Sequence, residues 1–288
     1  MIKTQVLVMG SGPGGYTAAF RAADLGKEVT LIERYDSLGG VCLNVGCIPS
    51  KTLLHTAEVI NESKHASELG VSFSKPKIDL EGVKKNTNSI VNKLTGGIKA
   101  LAKVRKVNVI NGYAKFLSKT QVMLEGTDEV IEFDQCIISV GSRVTKFPMF
   151  PFEDDRVMDS TDALLLDDIP KRMLVVGGGI IGLEMATIYD ALGSEITIVE
   201  LGPQIIPAAD KDIVNPLFKK AKKNYANLFL NTQVTSMSAL KKGIKVEFEG
   251  KDAPKNDTFD KVLVAVGRTP NGNLIDADKA GVEVSETG

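Results

Sequence analysis

Two cysteines, Cys42 and Cys47, lie five positions apart in a segment that also contains several glycines and one proline. Thiols at such spacing can form a reversible disulfide and carry two-electron redox chemistry. On one regular helix, residues five apart are separated by about 7.5 Å of rise, whereas a disulfide needs Cα atoms within about 7 Å. We therefore expect at least one cysteine to lie on non-helical backbone. A helix is predicted over Ser50 to Ile60, and a thiol at its head would react as the thiolate.

The elements around this cysteine segment include two Gly-rich turns with similar glycine spacing. Each turn follows a short apolar strand. The first turn has Gly10, Gly12 and Gly15 and is followed by Glu33. The second has Gly177, Gly179 and Gly182 and is followed by Glu200. In both copies the first glycine and the glutamate are 23 positions apart. One such pattern is a weak signal, but two with matched acids strongly predict a duplicated βαβ unit that binds dinucleotides.

The chemistry of each turn follows from its parts. A helix N-terminus offers free N–H groups and a positive dipole end to phosphates. Glu33 and Glu200 are placed to accept hydrogen bonds from ribose hydroxyls, and a carboxylate there repels a 2′-phosphate. No arginine follows Glu200 closely, so the second turn is expected to prefer NAD over NADP.

The segments between and after the turns predict further regular structure. Apolar residues at helical spacing indicate a helix over Asp79 to Val104. Short strands of a meander are predicted after it, and a similar pattern follows the second turn. The predicted strands are Val107 to Ile110, Ala114 to Leu117, Gln121 to Leu124, Val130 to Phe133 and the apolar run Cys136 to Val140, then Val234 to Met237, Ile244 to Phe248 and Val262 to Val266. A domain boundary is expected near Lys146 to Asp155, which contains two prolines.

The composition is that of a globular protein, with 43% hydrophobic residues and a formal net charge of −1. Its 288 residues suffice for about two domains. The near-zero charge gives no reason to expect nucleic acid or a membrane surface as partner. Three cysteines without framework spacing favour a reducing compartment and one catalytic pair. We expect Cys136 to be a buried structural thiol and expect no bound metal.

The N-terminus passes directly into the strand Val6 to Met9, which leaves no room for a signal peptide. No apolar run approaches the roughly 18 residues of a membrane span. We therefore expect a soluble, cytoplasmic protein.

These motifs together resemble those of the flavin-dependent pyridine nucleotide–disulfide oxidoreductases, over essentially all 288 residues. The resemblance rests on both Gly-rich turns with their acids, the segment Gly39 to Lys51, Glu184 after the second turn, and the segment Val266 to Asn271. It implies an α/β fold with two Rossmann-like FAD/NAD(P)-binding domains of three-layer ββα architecture. The implied boundaries are 1–146 for an FAD domain with the redox disulfide, 147–267 for an NAD domain, and 268–288 for the start of a return to the FAD domain.

The resemblance also implies a role for each matching residue. Cys47 would lie next to the flavin as the charge-transfer thiolate, and Cys42 would exchange with the dithiol substrate. Lys51 would approach the flavin ring with Glu184 as its ionic partner. The implied FAD-binding residues are Gly10, Gly12, Gly15, Glu33, Arg34, Gly40, Lys51, Ala114, Gly141 and Ser142. The implied NAD-binding residues are Gly177, Gly179, Ile180, Gly182, Glu200, Val234, Gly267 and Arg268.

Within the family, the pattern is similar to that of the branch that oxidises dihydrolipoamide with NAD. The implied partners are lipoyl domains of 2-oxo acid dehydrogenase complexes and, in the full-length parent, a second copy of the chain. A glutathione or mercuric type of disulfide reductase and a nucleotide-binding module without turnover are the alternatives. Family members continue beyond the position of Gly288, so we expect the C-terminal dimerisation domain to be absent and activity to be impaired. His55 and His65 are expected to be structural or exposed, not general bases.

Overall fold

The computed structural model describes residues 1–288, which form sixteen strands and seven α-helices. The strands are β1 (Ile2–Met9), β2 (Val29–Glu33), β3 (Asn108–Asn111), β4 (Ala114–Ser118), β5 (Gln121–Leu124), β6 (Val130–Ile138), β7 (Ser142–Val144), β8 (Val157–Met158), β9 (Arg172–Val176), β10 (Glu195–Val199), β11 (Asn227–Phe229), β12 (Gln233–Leu240), β13 (Gly243–Glu249), β14 (Asn256–Phe259), β15 (Lys261–Val264) and β16 (Arg268–Pro270). The helices are α1 (Pro13–Asp24), α2 (Gly40–Val45), α3 (Cys47–His65), α4 (Leu80–Val104), α5 (Ser160–Leu165), α6 (Ile180–Leu192) and α7 (Lys211–Asn224). Three 3₁₀ helices cover Ala66–Leu69, Gly272–Leu274 and Ala277–Ala280.

The chain folds into two compact units, each built from more than one segment. The first unit contains Met1–Pro49, Asn88–Arg143 and Arg268–Gly288. The second contains Ser50–Thr87 and Val144–Gly267. The chain therefore leaves the first unit twice, after Pro49 and after Arg143, and returns to it each time.

The first unit is organised around a six-stranded sheet of order β3-β2-β1-β6-β5-β4. Strands β3, β2, β1 and β6 are parallel, while β5 and β4 run antiparallel to their neighbours. Side chains of β1 alternate between two faces, as strand geometry requires. Val6 and Val8 pack with α1 and α4 on one face, and Leu7 and Met9 pack with residues of the β4–β5 hairpin on the other.

The second unit repeats this plan with a parallel sheet of order β11-β10-β9-β15-β8. On one face Met173 and Val175 pack with α6, and on the other Leu174 and Val176 pack with the antiparallel sheet of β12, β13 and β14. Each unit thus stacks helices, a parallel sheet and a β-meander. The predicted α/β class with two Rossmann-like, three-layer units is confirmed.

The compact units differ from the predicted boundaries 1–146 and 147–267 because residues 50–87 pack in the second unit. Leu53 of α3 is buried among residues of α5 and α6, and Ala57 and Ile60 pack on Ala191. Long-range apolar packing places these residues in the second unit, and the local sequence pattern does not show such packing. The assignment of a cofactor to each domain stays a prediction.

The predicted meander of the first unit is partly wrong. β3 does not belong to it, because it follows the crossover helix α4 and joins the parallel edge beside β2. The two strands predicted over Val130 to Phe133 and Cys136 to Val140 are one strand, β6, which pairs along all of β1. The sequence interpretation also missed α7 and β14. Pro216 lies inside α7, where a proline is unfavourable and therefore argues against a helix in the sequence.

Candidate nucleotide and dithiol sites

The Gly-rich turn of the first unit joins β1 to α1. Gly10 has a φ of +93°, and a Cβ there would meet the Ser139 carbonyl group. A Cβ at Gly15 would meet the carbonyl of Gly10, whereas one at Gly12 would meet no atom within 4 Å. The outer two glycines therefore serve the turn and its packing. Gly12 faces open space, where a phosphate could approach the backbone.

Glu33 lies buried at the end of β2, and its carboxylate is held by the turn. Its Oε2 accepts hydrogen bonds from Ser11 N at 2.9 Å and Ser11 Oγ at 2.6 Å. Its Oε1 accepts one from Tyr35 N at 3.1 Å. Each carboxylate oxygen can accept further bonds, so the acid is oriented without being saturated.

The second unit reproduces this arrangement between β9 and α6. Oε2 of Glu200 accepts from Gly178 N and Oε1 accepts from Gly202 N, both at 2.7 Å. Gly177 has a φ of +107°, and a Cβ there would lie 2.5 Å from Ala265 O. A Cβ at Gly179 would again meet no atom within 4 Å. The duplication therefore extends from element order to individual hydrogen bonds.

A cleft opens beside the first turn. Its lining includes three predicted FAD residues, Gly10, Arg34 and Ala114. Tyr113 and Asn271 line it as well, although the sequence interpretation assigned neither to a site. The Asn271 side chain is buried and donates to Val140 O at 2.9 Å, which anchors this wall. The signal for Asn271 was its place in the segment Val266 to Asn271.

The structure places Gly40 beside the first turn, since a Cβ on it would lie 2.7 Å from Gly12 Cα. Ser142 begins β7 in the same unit, and Gly141 immediately precedes that strand. Arg268 also lies in the first unit, where its guanidinium donates to Ser142 Oγ at 2.8 Å and to Ser142 O at 2.6 Å. The predicted NAD residue Arg268 is thus grouped with predicted FAD residues.

The other predicted NAD residues lie in the second unit. A Cβ on Gly182 would meet the Gly177 carbonyl, which matches the packing role of Gly15. Ile180 begins α6 and is 61% exposed, so its side chain is available to a ligand. Val234 is buried in the core around β12, so its side chain offers little surface to a ligand. Gly267 is exposed and has a φ of +138°.

Both cysteines lie in helices, which corrects the expectation that one would be on non-helical backbone. Cys42 is in α2 and Cys47 is the first residue of α3. Gly46 separates the two helices with φ −146° and ψ −115°, and a Cβ on it would lie 2.8 Å from Val41 O. The irregular residue is therefore between the cysteines. The predicted helix starts earlier, at Cys47, and ends later, at His65.

The two thiols differ in exposure, because Cys42 is partly buried and Cys47 is exposed. Cys47 is the first residue of the 19-residue helix α3, so it lies at the positive end of the helix dipole. Pro49 falls in the first turn of that helix, where a missing N–H costs no helical hydrogen bond. The pair is consistent with reversible dithiol chemistry.

Lys51 and Glu184 form an ion pair within the second unit. Lys51 Nζ lies 2.6 Å from Glu184 Oε1, and the side chains are 59% and 19% exposed. The resemblance named Glu184 as the partner of Lys51, and the pair is present. Its role at a flavin stays a prediction.

The remaining thiol and the histidines lie elsewhere. Cys136 packs against the core of the first unit, and burial raises its pKa to about 12. His55 and His65 are exposed and face Glu58 and Glu68 one helical turn away. No group of three or more His, Cys, Asp and Glu side chains could hold a metal ion. None of the helices has the length and apolar character needed to cross a bilayer.

Two dinucleotide-type turns with matched acids and a cysteine pair on adjoining helices define a class of nucleotide-dependent redox protein. Residues 4–288 match the family described as "Pyridine nucleotide-disulphide oxidoreductase", and the chain belongs to that family. Members of the family use FAD and NAD(H).

Curated relatives are similar along the whole chain. A protein named dihydrolipoyl dehydrogenase from Vibrio cholerae is 53% identical over 290 residues, which cover 100% of this chain and 61% of the relative. The protein of that name from Haemophilus influenzae is also 53% identical, with 60% of its length covered. One from Staphylococcus aureus is 41% identical, with 61% covered. The chain therefore spans about 61% of the length of these relatives.

Among solved structures, the chain is similar to the HOCl-induced flavoprotein disulfide reductase RclA from Escherichia coli. Its Cu(II) complex matches with a TM-score of 0.85 and 28% identity, covering 100% of this chain and 62% of the other. The structure of RclA described without copper matches with a TM-score of 0.83.

Proposed function

We propose that this chain belongs to a dihydrolipoyl dehydrogenase, which oxidises dihydrolipoamide to lipoamide and reduces NAD⁺ to NADH. The observation that carries the proposal is the 53% identity, over the whole chain, to curated relatives of that name. The cysteine pair at the junction of α2 and α3 supports it, because the reaction needs a group that accepts electrons from a dithiol.

The first unit is the proposed FAD site. Gly12 leaves open space for a pyrophosphate, and the oriented carboxylate of Glu33 has capacity to accept ribose hydroxyls. Arg34 and Ala114 line the adjoining cleft, which is the proposed place of the adenosine. Gly10, Gly15, Gly40, Gly141 and Ser142 complete the proposed set.

The second unit is the proposed NAD site. The pyrophosphate would approach Gly179 at the N-terminus of α6, and Glu200 would accept the ribose hydroxyls. The exposed Ile180 is available to cover the bound coenzyme. Gly177, Gly182, Val234 and Gly267 complete the proposed set within this unit, and Arg268 is proposed from the resemblance alone.

Thiol–disulfide exchange at the cysteine pair begins the proposed reaction. One substrate thiolate attacks Cys42 of the oxidised pair, and Cys47 leaves as a thiolate. The second substrate thiol then attacks the mixed disulfide, which releases lipoamide and leaves both cysteines reduced. Two electrons and two protons have passed from the substrate to the pair.

When bound, FAD would accept these two electrons and release them as a hydride to NAD⁺. Lys51 follows Cys47 by one helical turn on α3, and its ammonium would stabilise negative charge on the reduced ring. Glu184 holds that ammonium in place through the 2.6 Å ion pair.

The partners are also proposed from the activity. They are lipoyl domains of 2-oxo acid dehydrogenase complexes and, in the full-length parent, a second copy of the chain as a homodimer. The proposed compartment is the cytoplasm. No nucleic-acid or membrane partner is proposed.

The second candidate is a disulfide reductase for another substrate, of the glutathione or mercuric type. The TM-score of 0.85 to a flavoprotein disulfide reductase favours it. The 28% identity of that match is far below the 53% of the dihydrolipoyl dehydrogenases, so it ranks second.

The first test is a visible absorption spectrum of the purified chain, reconstituted with FAD, before and after addition of dithiothreitol. Flavin bands with a long-wavelength shoulder on reduction are expected, and Cys47→Ser should abolish the shoulder. Cys136→Ser is the matched control and should retain it. A chain that binds NADH in calorimetry but never retains FAD would instead be a nucleotide-binding module without turnover. Assays with dihydrolipoamide, glutathione and Hg(II) then decide the substrate.

A further inference from the structure

Ser11, the second residue of the first Gly-rich turn, has no exposed surface. Its hydroxyl donates to Glu33 Oε2 at 2.6 Å, and its backbone N–H donates to the same oxygen at 2.9 Å. A hydroxyl–carboxylate bond of this length is charge-assisted and strong for its type. Ser11 therefore holds the carboxylate of Glu33 with two donors.

The same serine also receives the segment that leads to Cys42. Gly39 N donates to Ser11 O at 3.0 Å and to Ser11 Oγ at 3.2 Å. Gly39 is the N-cap of α2, and the next residue, Gly40, packs against the backbone of Gly12. The Ser11 hydroxyl is thus shared between the ribose-binding acid and the start of the helix that carries Cys42.

The second unit provides an internal comparison. Its equivalent of Ser11 is Gly178, whose N–H donates to Glu200 Oε2 at 2.7 Å. A Cβ on Gly178 would lie 3.2 Å from the Glu200 Cβ, so a serine there would be crowded. Backbone N–H groups are therefore enough to orient the acid of such a turn. The extra hydroxyl occurs in the unit where a thiol-bearing helix is docked on the turn.

We propose that Ser11 is a positioning residue that couples the nucleotide turn to the dithiol segment through one shared hydroxyl. It orients Glu33 for the adenosine ribose and seats Gly39, and with it α2, on the turn. The predicted effect of Ser11 on FAD affinity rests on the proposed function. Its predicted effect on the reactivity of Cys42 can be measured without a bound cofactor.

The test compares Ser11→Ala with the unsubstituted 288-residue chain. The FAD dissociation constant should rise about tenfold, the size expected when a hydrogen bond to a charged group is lost. In the reduced chain without FAD, alkylation of Cys42 by iodoacetamide, followed by mass spectrometry, should accelerate about threefold because α2 detaches more often. Alkylation of Cys136 should stay unchanged, and so should the affinity for NADH.

Ser194→Ala is the matched control. Ser194 is also a buried serine, and its Oγ donates to Pro170 O at 2.6 Å in the second unit. It should lower stability to a similar degree while leaving FAD affinity and Cys42 alkylation unchanged. Equal effects of both variants on these two readouts would overturn the proposal, since a general loss of stability would then explain them.

A double-mutant cycle separates positioning from simple packing. If Ser11 acts through the acid, Ser11→Ala should change FAD affinity far less in a Glu33→Ala background. Full additivity of the two effects would overturn the coupling. If the unsubstituted 288-residue chain binds no FAD, the proposed FAD site is contradicted. The alkylation rates of Cys42 would still decide the role of Ser11.

Discussion

Lys51 and Glu184 lie 133 positions apart, yet the Lys51 ammonium and the Glu184 carboxylate are 2.6 Å from each other. Lys51 is on α3 and Glu184 is on α6, and both helices contribute to one apolar core through Leu53 and Leu183. The core brings the two helices together, and the ion pair then fixes the direction of the lysine. Because Lys51 is 59% exposed, the pair adds only about 0–1 kcal/mol to stability.

Replacement of Lys51 by alanine should therefore separate stability from redox chemistry. The free energy of unfolding in urea should change by less than about 1 kcal/mol. The rate at which dithiothreitol reduces bound flavin should fall about tenfold or more, equivalent to at least about 1.4 kcal/mol of lost stabilisation. Lys3→Ala is the control, because it removes an exposed ion pair to Glu132 at 3.0 Å. An unchanged reduction rate in Lys51→Ala would remove the lysine from the proposed mechanism.

Gly177→Ala should lower stability, whereas Gly179→Ala should weaken NADH binding without lowering stability. The first places a Cβ 2.5 Å from Ala265 O at a φ of +107°, so it should cost about 1–3 kcal/mol of stability in urea. The second meets no atom within 4 Å and should change stability by less than about 0.5 kcal/mol. Gly179→Ala should nevertheless weaken NADH binding in calorimetry about tenfold, because its methyl group takes the pyrophosphate space. Normal NADH affinity in Gly179→Ala would show that no phosphate approaches this glycine.

The carboxylate of Glu200 should make the second unit prefer NADH to NADPH. It is held by Gly178 N and Gly202 N and would face a 2′-phosphate with like charge. Calorimetry should give an affinity for NADH at least about tenfold higher than that for NADPH, which is about 1.4 kcal/mol. Glu200→Ala should narrow this ratio, whereas Glu195→Ala, at an exposed acid that begins β10, should leave it unchanged. A ratio that Glu200→Ala does not alter would mean that another group selects the coenzyme.

Cys136 should make part of the stability depend on alkaline pH. Burial raises the pKa of its thiol from 9.0 to about 12, so the folded state keeps the proton in a range where the unfolded chain loses it. The unfolded state then binds fewer protons, and the free energy of unfolding falls as pH rises from 9.0 towards 12. Below that range the contribution is fully present. Urea unfolding at several pH values between about 8 and 10.5 should show a shallower decline for Cys136→Ala. If the free energy of unfolding declines equally with pH in both chains, the decline does not come from the thiol of Cys136.

Much of the nucleotide-binding framework could be predicted from local sequence. Each predicted Gly-rich turn follows a short strand and leads into a helix, from β1 to α1 in the first unit and from β9 to α6 in the second. Glycine is required at Gly10 and Gly177 by positive φ values and adjacent carbonyl groups, which are local constraints. Such constraints leave a direct trace in residue type and spacing.

Other features have no local trace. Residues 50–87 follow the dithiol segment in sequence, but Leu53 and Ala57 pack in the second unit. Whether a strand such as β3 joins a meander or a parallel edge depends on its partner and not on its own residues. Ser11 was one residue of a predicted turn, and its double contact with Glu33 and Gly39 required the fold.

The residue pattern alone was enough to predict the two Gly-rich turns, their acids, the cysteine pair and the α/β class. These depend on backbone geometry over a few residues and on hydrophobic periodicity. The three-dimensional fold was needed to show that Gly46, and not a cysteine, breaks the helix and that Arg268 lies with Ser142. The resemblance implied that Lys51 pairs with Glu184, but the 2.6 Å geometry of the pair comes from the fold. Such contacts join residues up to 133 positions apart, and burial of apolar surface on several elements brings them together.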